Sequence, residues 1–271
     1  MIELQVQQHR IATPSGEIFA QMWTHDLAQG APIVLLHDSL GSVTLWRDFP
    51  SELAQVTGRA VVAYDRAGFG QSSAYNDALP LSFIADEAQH SFAAVRDYFG
   101  LEQYVLLGHS VGGGMAVCAA AAYPEQCMSL ITLSAQSLVQ AHTTEGIRQA
   151  KLQFQQPGAM DKLRKYHGDK AEWVLNAWTE TWLSEAFASW SLDAYLPHVQ
   201  CSTLVIHGEA DEYGTQEHAQ RIAQGVKAQS TLALLPGCGH VPHREQTVQC
   251  LELIQEHLTD PSDAVDHVVI A

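Results

Sequence analysis

Positive charge is what this chain has least of. Its 271 residues include 14 lysines and arginines against 30 aspartates and glutamates, a formal net charge of −16, and charged residues make up only 16% of the whole. Such a surface repels polyphosphate and anionic lipid, so neither nucleic acid nor a membrane is an expected partner. Long apolar runs are missing as well. No window approaches the roughly eighteen uninterrupted apolar residues of a membrane span. The first twenty residues contain no basic stretch followed by an apolar run, and a cytoplasmic protein is the expectation. Cysteine is sparse: Cys118, Cys127, Cys201, Cys238 and Cys250 are an odd number, with no C-x-x-C pair and no zinc-ligand spacing to histidine. They are read as reduced core thiols, and no metal or organic cofactor is expected. No internal repeat or low-complexity tract is visible.

What is present is apolar residue in quantity, 46% of the chain, enough to bury a sizeable core in one domain carrying an insertion. Alternation over Ile2 to Ile11 and Glu17 to Thr24, around Pro14-Ser15-Gly16, reads as an antiparallel hairpin. Six short apolar runs follow, at Pro32 to Leu36, Ala60 to Tyr64, Tyr104 to Leu107, Leu130 to Leu133, Leu204 to Ile206 and Leu232 to Leu235. Runs of that length without alternation suit parallel strands buried on both faces. Between them, helical spacing covers Leu45 to Thr57, Ser82 to Phe99, Val111 to Tyr123, Thr215 to Val226 and Arg244 to Leu258. The alternation predicts an α/β fold, an eight-stranded, mostly parallel sheet flanked by helices on both faces.

One interval breaks the rhythm. From about Ser137 to His198 there is no strand-like run, only helical patterns interrupted at Pro157-Gly158 and Gly168, with Trp173, Trp178, Trp182 and Trp190 among them. Residues 137–198 are therefore expected to form a helical cap inserted into a core made of residues 1–136 and 199–271. The tail after Thr259-Asp260-Pro261 contains a short Val268-Val269-Ile270 run whose role the sequence leaves open.

The strongest chemical signal is Gly108-His109-Ser110-Val111-Gly112, which an apolar strand enters and an alanine-rich helix leaves. Bare Gly-x-Ser-x-Gly arises by chance in about one chain in ten of this length, but the strand before and helix after make the match far more specific. A serine on so sharp a turn has strained backbone angles, and the flanking glycines remove side chains that would clash. Ser110 is the candidate nucleophile. A serine hydroxyl needs a base, and the base needs a carboxylate to fix its tautomer. His240 follows Pro236-Gly237-Cys238-Gly239 in a loop after a strand, whereas His243, its rival, sits where the next helix begins. Asp211 is preferred as the carboxylate over Glu209 and Glu212 for its place in the loop after Leu204 to Ile206. The order Ser, Asp, His differs from those of chymotrypsin-like and subtilisin-like proteases. A developing oxyanion also needs backbone donors, expected at the amides of Val111 and Ser39.

These motifs resemble the α/β-hydrolase superfamily, in its cap-bearing serine branch of esterases, lactonases and C–C bond hydrolases. His37-Asp38-Ser39-Leu40-Gly41 is similar to that family's His-Gly-x-x-Gly oxyanion loop, Asp65-Arg66-Ala67-Gly68-Phe69-Gly70-Gln71-Ser72 to its Asp-x-x-Gly-x-Gly-x-Ser turn, and Gly237-Cys238-Gly239-His240 to its Gly-x-Gly-His loop. Asp38 stands where the family has glycine; aspartate tolerates left-handed backbone angles, which would preserve the loop. Asp65 and Arg66 are read as structural. Members with an aspartate nucleophile, the haloalkane dehalogenases and epoxide hydrolases, are disfavoured by Ser110, while cofactor-independent dioxygenases of this fold keep the same three residues. The resemblance implies hydrolysis of a small apolar or amphipathic acyl substrate, an ester, lactone or thioester-like compound, by way of an acyl-enzyme. Trp173, Trp178 and Trp182 are expected to line the substrate pocket. The alternatives are C–C or amide hydrolysis by the same residues, or a small-molecule receptor with vestigial activity; monomer and homodimer both remain open.

Overall fold

The structure, a computed structural model, describes residues 3–259, so the Val268-Val269-Ile270 run lies outside the described residues. The alternating N-terminal segment folds as Gln5–Thr13 (β1) against Gly16–Thr24 (β2), antiparallel, with Thr13 facing Gly16 across a two-residue turn. The six apolar runs become β3 (Ile33–Leu36), β4 (Val61–Tyr64), β5 (Tyr104–His109), β6 (Cys127–Leu133), β7 (Ser202–Gly208) and β8 (Ser230–Leu235). They form one sheet in the order β1-β2-β4-β3-β5-β6-β7-β8. β2 pairs antiparallel with β4, and the pairings from β4 through β8 are parallel. This is the mostly parallel, helix-flanked sheet that the strand and helix pattern predicts, and the architecture that the resemblance to α/β-hydrolases implies.

The helices are α1 (Phe49–Thr57), α2 (Phe83–Asp86), α3 (Ser91–Phe99), α4 (Val111–Ala122), α5 (Ala141–Phe154), α6 (Ala159–His167), α7 (Ala171–Trp182), α8 (Gln216–Gly225), α9 (Pro242–Glu245) and α10 (Thr247–Thr259). Strand alternation divides the core into two layers, because successive side chains leave a strand on opposite faces. Val34, Leu36, Val62, Tyr64 and Leu106 pack with residues of α2, α3, α4 and α8. Ile33, Leu35, Val61, Ala63, Val105 and Leu107 pack on the other face with α1 and α10. Each fully buried Leu, Ile or Phe there contributes about 1.5–3 kcal/mol. α4 is buried from Val111 through Ala120, which suits its nearly all Gly, Ala, Val and Met surface and sets its N-terminus under the end of β5.

Three segments read as single helices are divided. Leu45 to Thr57 is a 3-10 turn (Val43–Trp46) and then α1, separated by Arg47 at φ 55°. Ser82 to Phe99 is α2, a 3-10 turn and α3, parted at His90, while Glu87 turns inward to accept the Tyr64 hydroxyl at 2.7 Å. Arg244 to Leu258 divides at Gln246 into α9 and α10.

Between β6 and β7 the chain holds α5, α6 and α7, three short 3-10 turns and one isolated bridge, Leu138 to Ser191, with no strand of the sheet. This segment lies over the site end of the core: Leu163, Ala171 and Val174 pack with Phe69 and Leu40. Among the described residues no helix is long and apolar enough to cross a membrane.

Candidate active site

Ser110 joins β5 to α4 at φ 57° and ψ −126°, a conformation that costs a non-glycine residue about 1–3 kcal/mol. The glycines around it are required by contact. A Cβ on Gly108 would stand 2.1 Å from the Gly112 carbonyl oxygen, and one on Gly112 would stand 2.2 Å from that of Leu36. The turn is held by Ser110 N–H donating to Leu133 O at 2.9 Å. His240, in the loop after β8, brings Nε2 to 3.0 Å from Ser110 Oγ. Its Nδ1 donates to Asp211 Oδ1 and Oδ2 at 2.9 and 2.8 Å. Asp211, in the loop after β7, accepts in turn from the amides of Tyr213 (2.7 Å) and Gly214 (3.0 Å). Of the three acids in that loop, Glu209 is exposed, and Glu212 accepts the His240 backbone N–H at 3.2 Å.

The electrostatics suit a histidine that receives a proton. Burial pulls His240 down, but the hydrogen bond and charge of Asp211, with Glu212 and Asp38 behind, push it above the ordinary histidine value. Burial pushes Asp211 up, and its bonds to His240 and Tyr213 carry it below the usual carboxylate value. His243 lies in the first turn of α9, as its position in the sequence suggests, and is buried against the cavity. It packs against Trp46 and His109, and burial, then the charge of His109, holds it well below its ordinary value.

A cavity of about 260 Å³ opens on Ser110 and His240. Its apolar wall comes from Leu40, Leu45, Ile147, Trp178 and Trp182, and Asp38, Ser39, His109 and Gln136 add polar groups. A narrow adjoining cleft is lined by Ser39, Val111, Trp178 and Trp182, so the two residues expected to supply oxyanion donors border one space. Trp173, expected in the pocket, lies elsewhere. Its ring packs edge-on against Phe69 and beside Tyr75, over Gly68, and its indole N–H donates to Asp77 O at 2.9 Å, which fixes it on the Asp65 to Ser72 turn. Trp190 stacks on Phe187 and meets Trp182 edge-on.

Asp38 needs no left-handed backbone: among the described residues, positive φ outside glycine occurs at Arg47, Ser110 and Ser134. Its Oδ1 instead accepts Leu40 N–H at 2.9 Å, and its carbonyl accepts His37 Nδ1–H and an Arg66 Nη2–H. Asp65 holds its turn by accepting the amides of Val43 and Gln71, each at 2.6 Å, which is a framework task. Sequence reasoning missed two neighbours of the centre. His109 Nε2 donates to the His240 carbonyl at 2.8 Å, and the Gln136 amide lies 3.1 Å from Ser110 Oγ. Position 109 inside Gly-x-Ser-x-Gly was a usable signal for the first; no local signal marks the second. Among the described residues no group of three or more His, Cys, Asp or Glu side chains is arranged to hold a metal ion.

A serine held this way can lose its proton to His240 as it attacks an electrophilic carbon, with the imidazolium stabilised by Asp211. Known proteins share the fold. The chain is 27% identical over 265 residues to a proline iminopeptidase of Lactobacillus helveticus, covering 84% of this chain and 89% of that one. A solved 2-hydroxy-6-oxo-6-phenylhexa-2,4-dienoate hydrolase from Rhodococcus sp. strain RHA1 superposes at a TM-score of 0.76 and 19% identity, over 94% of this chain and 99% of that one. A thermophilic esterase from Thermogutta terrifontis does so at 0.70 and 24%, over 93% and 98%. The sequence model described as alpha/beta hydrolase fold matches residues 31–246, across β3 to α9, and the chain belongs to the α/β-hydrolase fold family.

Proposed function

We propose that this chain is a serine hydrolase that cleaves a small carboxylic ester, or a lactone or thioester-like acyl compound, through an acyl-enzyme on Ser110. The observation that carries the reading is the hydrogen-bonded line from Asp211 through His240 to Ser110, ending at the cavity floor. Ser110 Oγ attacks the acyl carbon while His240 Nε2 takes its proton. The oxyanion rests on the amides of Val111 and Ser39, and His240 then protonates the departing group. Water repeats the sequence and frees the acid. The apolar wall of Leu40, Leu45, Ile147, Trp178 and Trp182 favours a small apolar or amphipathic acyl group.

The test combines labelling with turnover. A fluorophosphonate should label native protein once per chain, at the peptide containing Gly108 to Gly112, and Ser110→Ala should abolish both labelling and hydrolysis of p-nitrophenyl esters. Turnover confined to prolyl amides or vinylogous diketones would move the reading to the bond types in the names of the iminopeptidase and the dienoate hydrolase. Labelling without turnover of any of these would favour a receptor, and labelling at another serine would remove Ser110 as nucleophile.

A further inference from the structure

Beyond the end of β6 the backbone kinks at Ser134, at φ 45° and fully buried, and two residues later it delivers Gln136 over the nucleophile. Gln136 is 4% exposed, and its Oε1 stands 3.1 Å from Ser110 Oγ. That hydroxyl has one proton and a second neighbour, His240 Nε2, at 3.0 Å. Because His240 Nδ1 carries the hydrogen donated to Asp211, Nε2 of the neutral ring is an acceptor and takes the serine proton. An amide oxygen facing Oγ would then set lone pair against lone pair. The terminal amide is nearly symmetric in shape, so a half-turn about its last bond places Nε2–H at the same spot and turns repulsion into a hydrogen bond.

We propose that Gln136 is a catalytic residue whose side-chain amide donates to Ser110 Oγ and acts chiefly in deacylation, a step that rests on the acyl-enzyme reading above. In that step water attacks the acyl carbon and gives its proton to His240 Nε2, and the carbonyl pair moves onto oxygen. Collapse re-forms the C=O bond and breaks the C–Oγ bond. The bonding pair goes to Oγ, which recovers a proton from His240 Nε2–H as the carboxylic acid departs. Oγ is thus the leaving group, and an N–H aimed at it stabilises the charge it gathers. In acylation the same donor ties up a lone pair of the attacking atom. Removing it therefore affects the two halves of the cycle in opposite directions, which loss of packing does not do.

The experiment compares wild type with Gln136→Met, similar in length but without a donor, and Gln136→Glu, a donor only when protonated. Three quantities are read: steady-state p-nitrophenyl acetate kinetics, the pre-steady-state release of p-nitrophenol, and the rate of fluorophosphonate labelling. In Q136M labelling should match or exceed wild type, while kcat and KM fall together by about tenfold and a burst near one equivalent per chain appears. Q136E should behave like Q136M at pH 8, and its kcat relative to wild type at the same pH should rise as the pH is lowered. Equal losses of labelling and kcat in Q136M, or wild-type kcat without a burst, would overturn the assignment. Wild type that labels but turns over no ester overturns the ester reading instead, and the labelling rates of the two proteins still test the donor: slower labelling in Q136M refutes it.

Discussion

Asp38 Oδ2 lies 3.5 Å from His109 Nδ1, and the other nitrogen of that ring donates to the carbonyl of His240 at 2.8 Å, so the loop after β3 and the loop after β8 meet through one side chain. Asp38 is about one-third exposed, yet it is held well below the usual carboxylate range: burial opposes this, and the hydrogen bond and charge of His109 outweigh it.

Its negative charge also helps to raise His240, and a dependence on pH follows. The proposed base, His240, works when neutral, so kcat/KM should rise with pH through a midpoint above the ordinary histidine value of about 6.5. In Asp38→Asn the imidazolium loses a stabilising charge, the proton leaves more easily, and the midpoint should move to lower pH. Coincident profiles of the two proteins between pH 5 and 9 would rule this coupling out.

Asp211→Asn tests the orienting carboxylate. Asparagine fits the space and can keep the bonds from Tyr213 and Gly214, but it can present N–H to His240 and favour the wrong tautomer. Ester kcat should fall about 10³- to 10⁴-fold with little change in thermal stability. Glu209→Gln, at an exposed position, should keep near-wild-type rates. Activity in the first variant and loss in the second would reverse the assignment.

The sheet was legible because parallel strands buried on both faces leave solid apolar runs, as at Leu204 to Ile206 and Leu130 to Leu133. Gly108 to Gly112 was legible because its glycines answer to a local clash. The tryptophans were not. Trp173, Trp178 and Trp182 share one helix, and only the packing of α7 on the core decides that Trp178 and Trp182 face the cavity while Trp173 covers the Asp65 turn. Gln136 was equally silent, since its contact depends on a left-handed Ser134 that no glycine or asparagine announces.

Buried neutral histidines make stability sensitive to acid. His218 is fully buried; its Nδ1 accepts Ser137 N–H at 3.0 Å, and its Nε2 has no hydrogen-bond partner among the described residues. Burial, then the charge of His207, lowers it to about 4. The unfolded chain binds this proton near pH 6.5 and the folded chain only near 4, so the stabilisation is complete above about 6.5 and is lost on acidification toward 4. The loss is on the order of 3 kcal/mol. Urea unfolding followed from pH 8 to 4.5 should show wild type weakening over that window and His218→Gln weakening less. Parallel slopes would mean that His218 titrates alike in both states.

His167, at the end of α6, reaches from the inserted helices to both loops of the core. Its Nε2–H donates to Leu40 O at 3.0 Å and its Nδ1 accepts Gly70 N–H at 2.9 Å, in a ring that is 2% exposed. Leu40 follows Ser39, so this bond anchors the strand of loop that carries the proposed second oxyanion donor. Lys170 grips only the neighbouring turn, donating to the carbonyls of Phe69, Gly70 and Ser72. The two residues thus separate attachment of the helices between β6 and β7 from placement of the Leu40 loop. His167→Ala leaves Leu40 O and Gly70 N–H without this partner and frees the loop; because a displacement near 1 Å at a reacting centre can cost on the order of 100-fold, kcat should drop about 10- to 100-fold. Lys170→Met loosens the same helical segment but spares Leu40, and its kcat should stay within about threefold of wild type. Fluorophosphonate labelling should slow in parallel with kcat in His167→Ala, because a phosphonyl oxygen draws on the same donors. Equal losses in both variants would mean that seating of the inserted helices as a whole, and not the Leu40 contact, sets the rate.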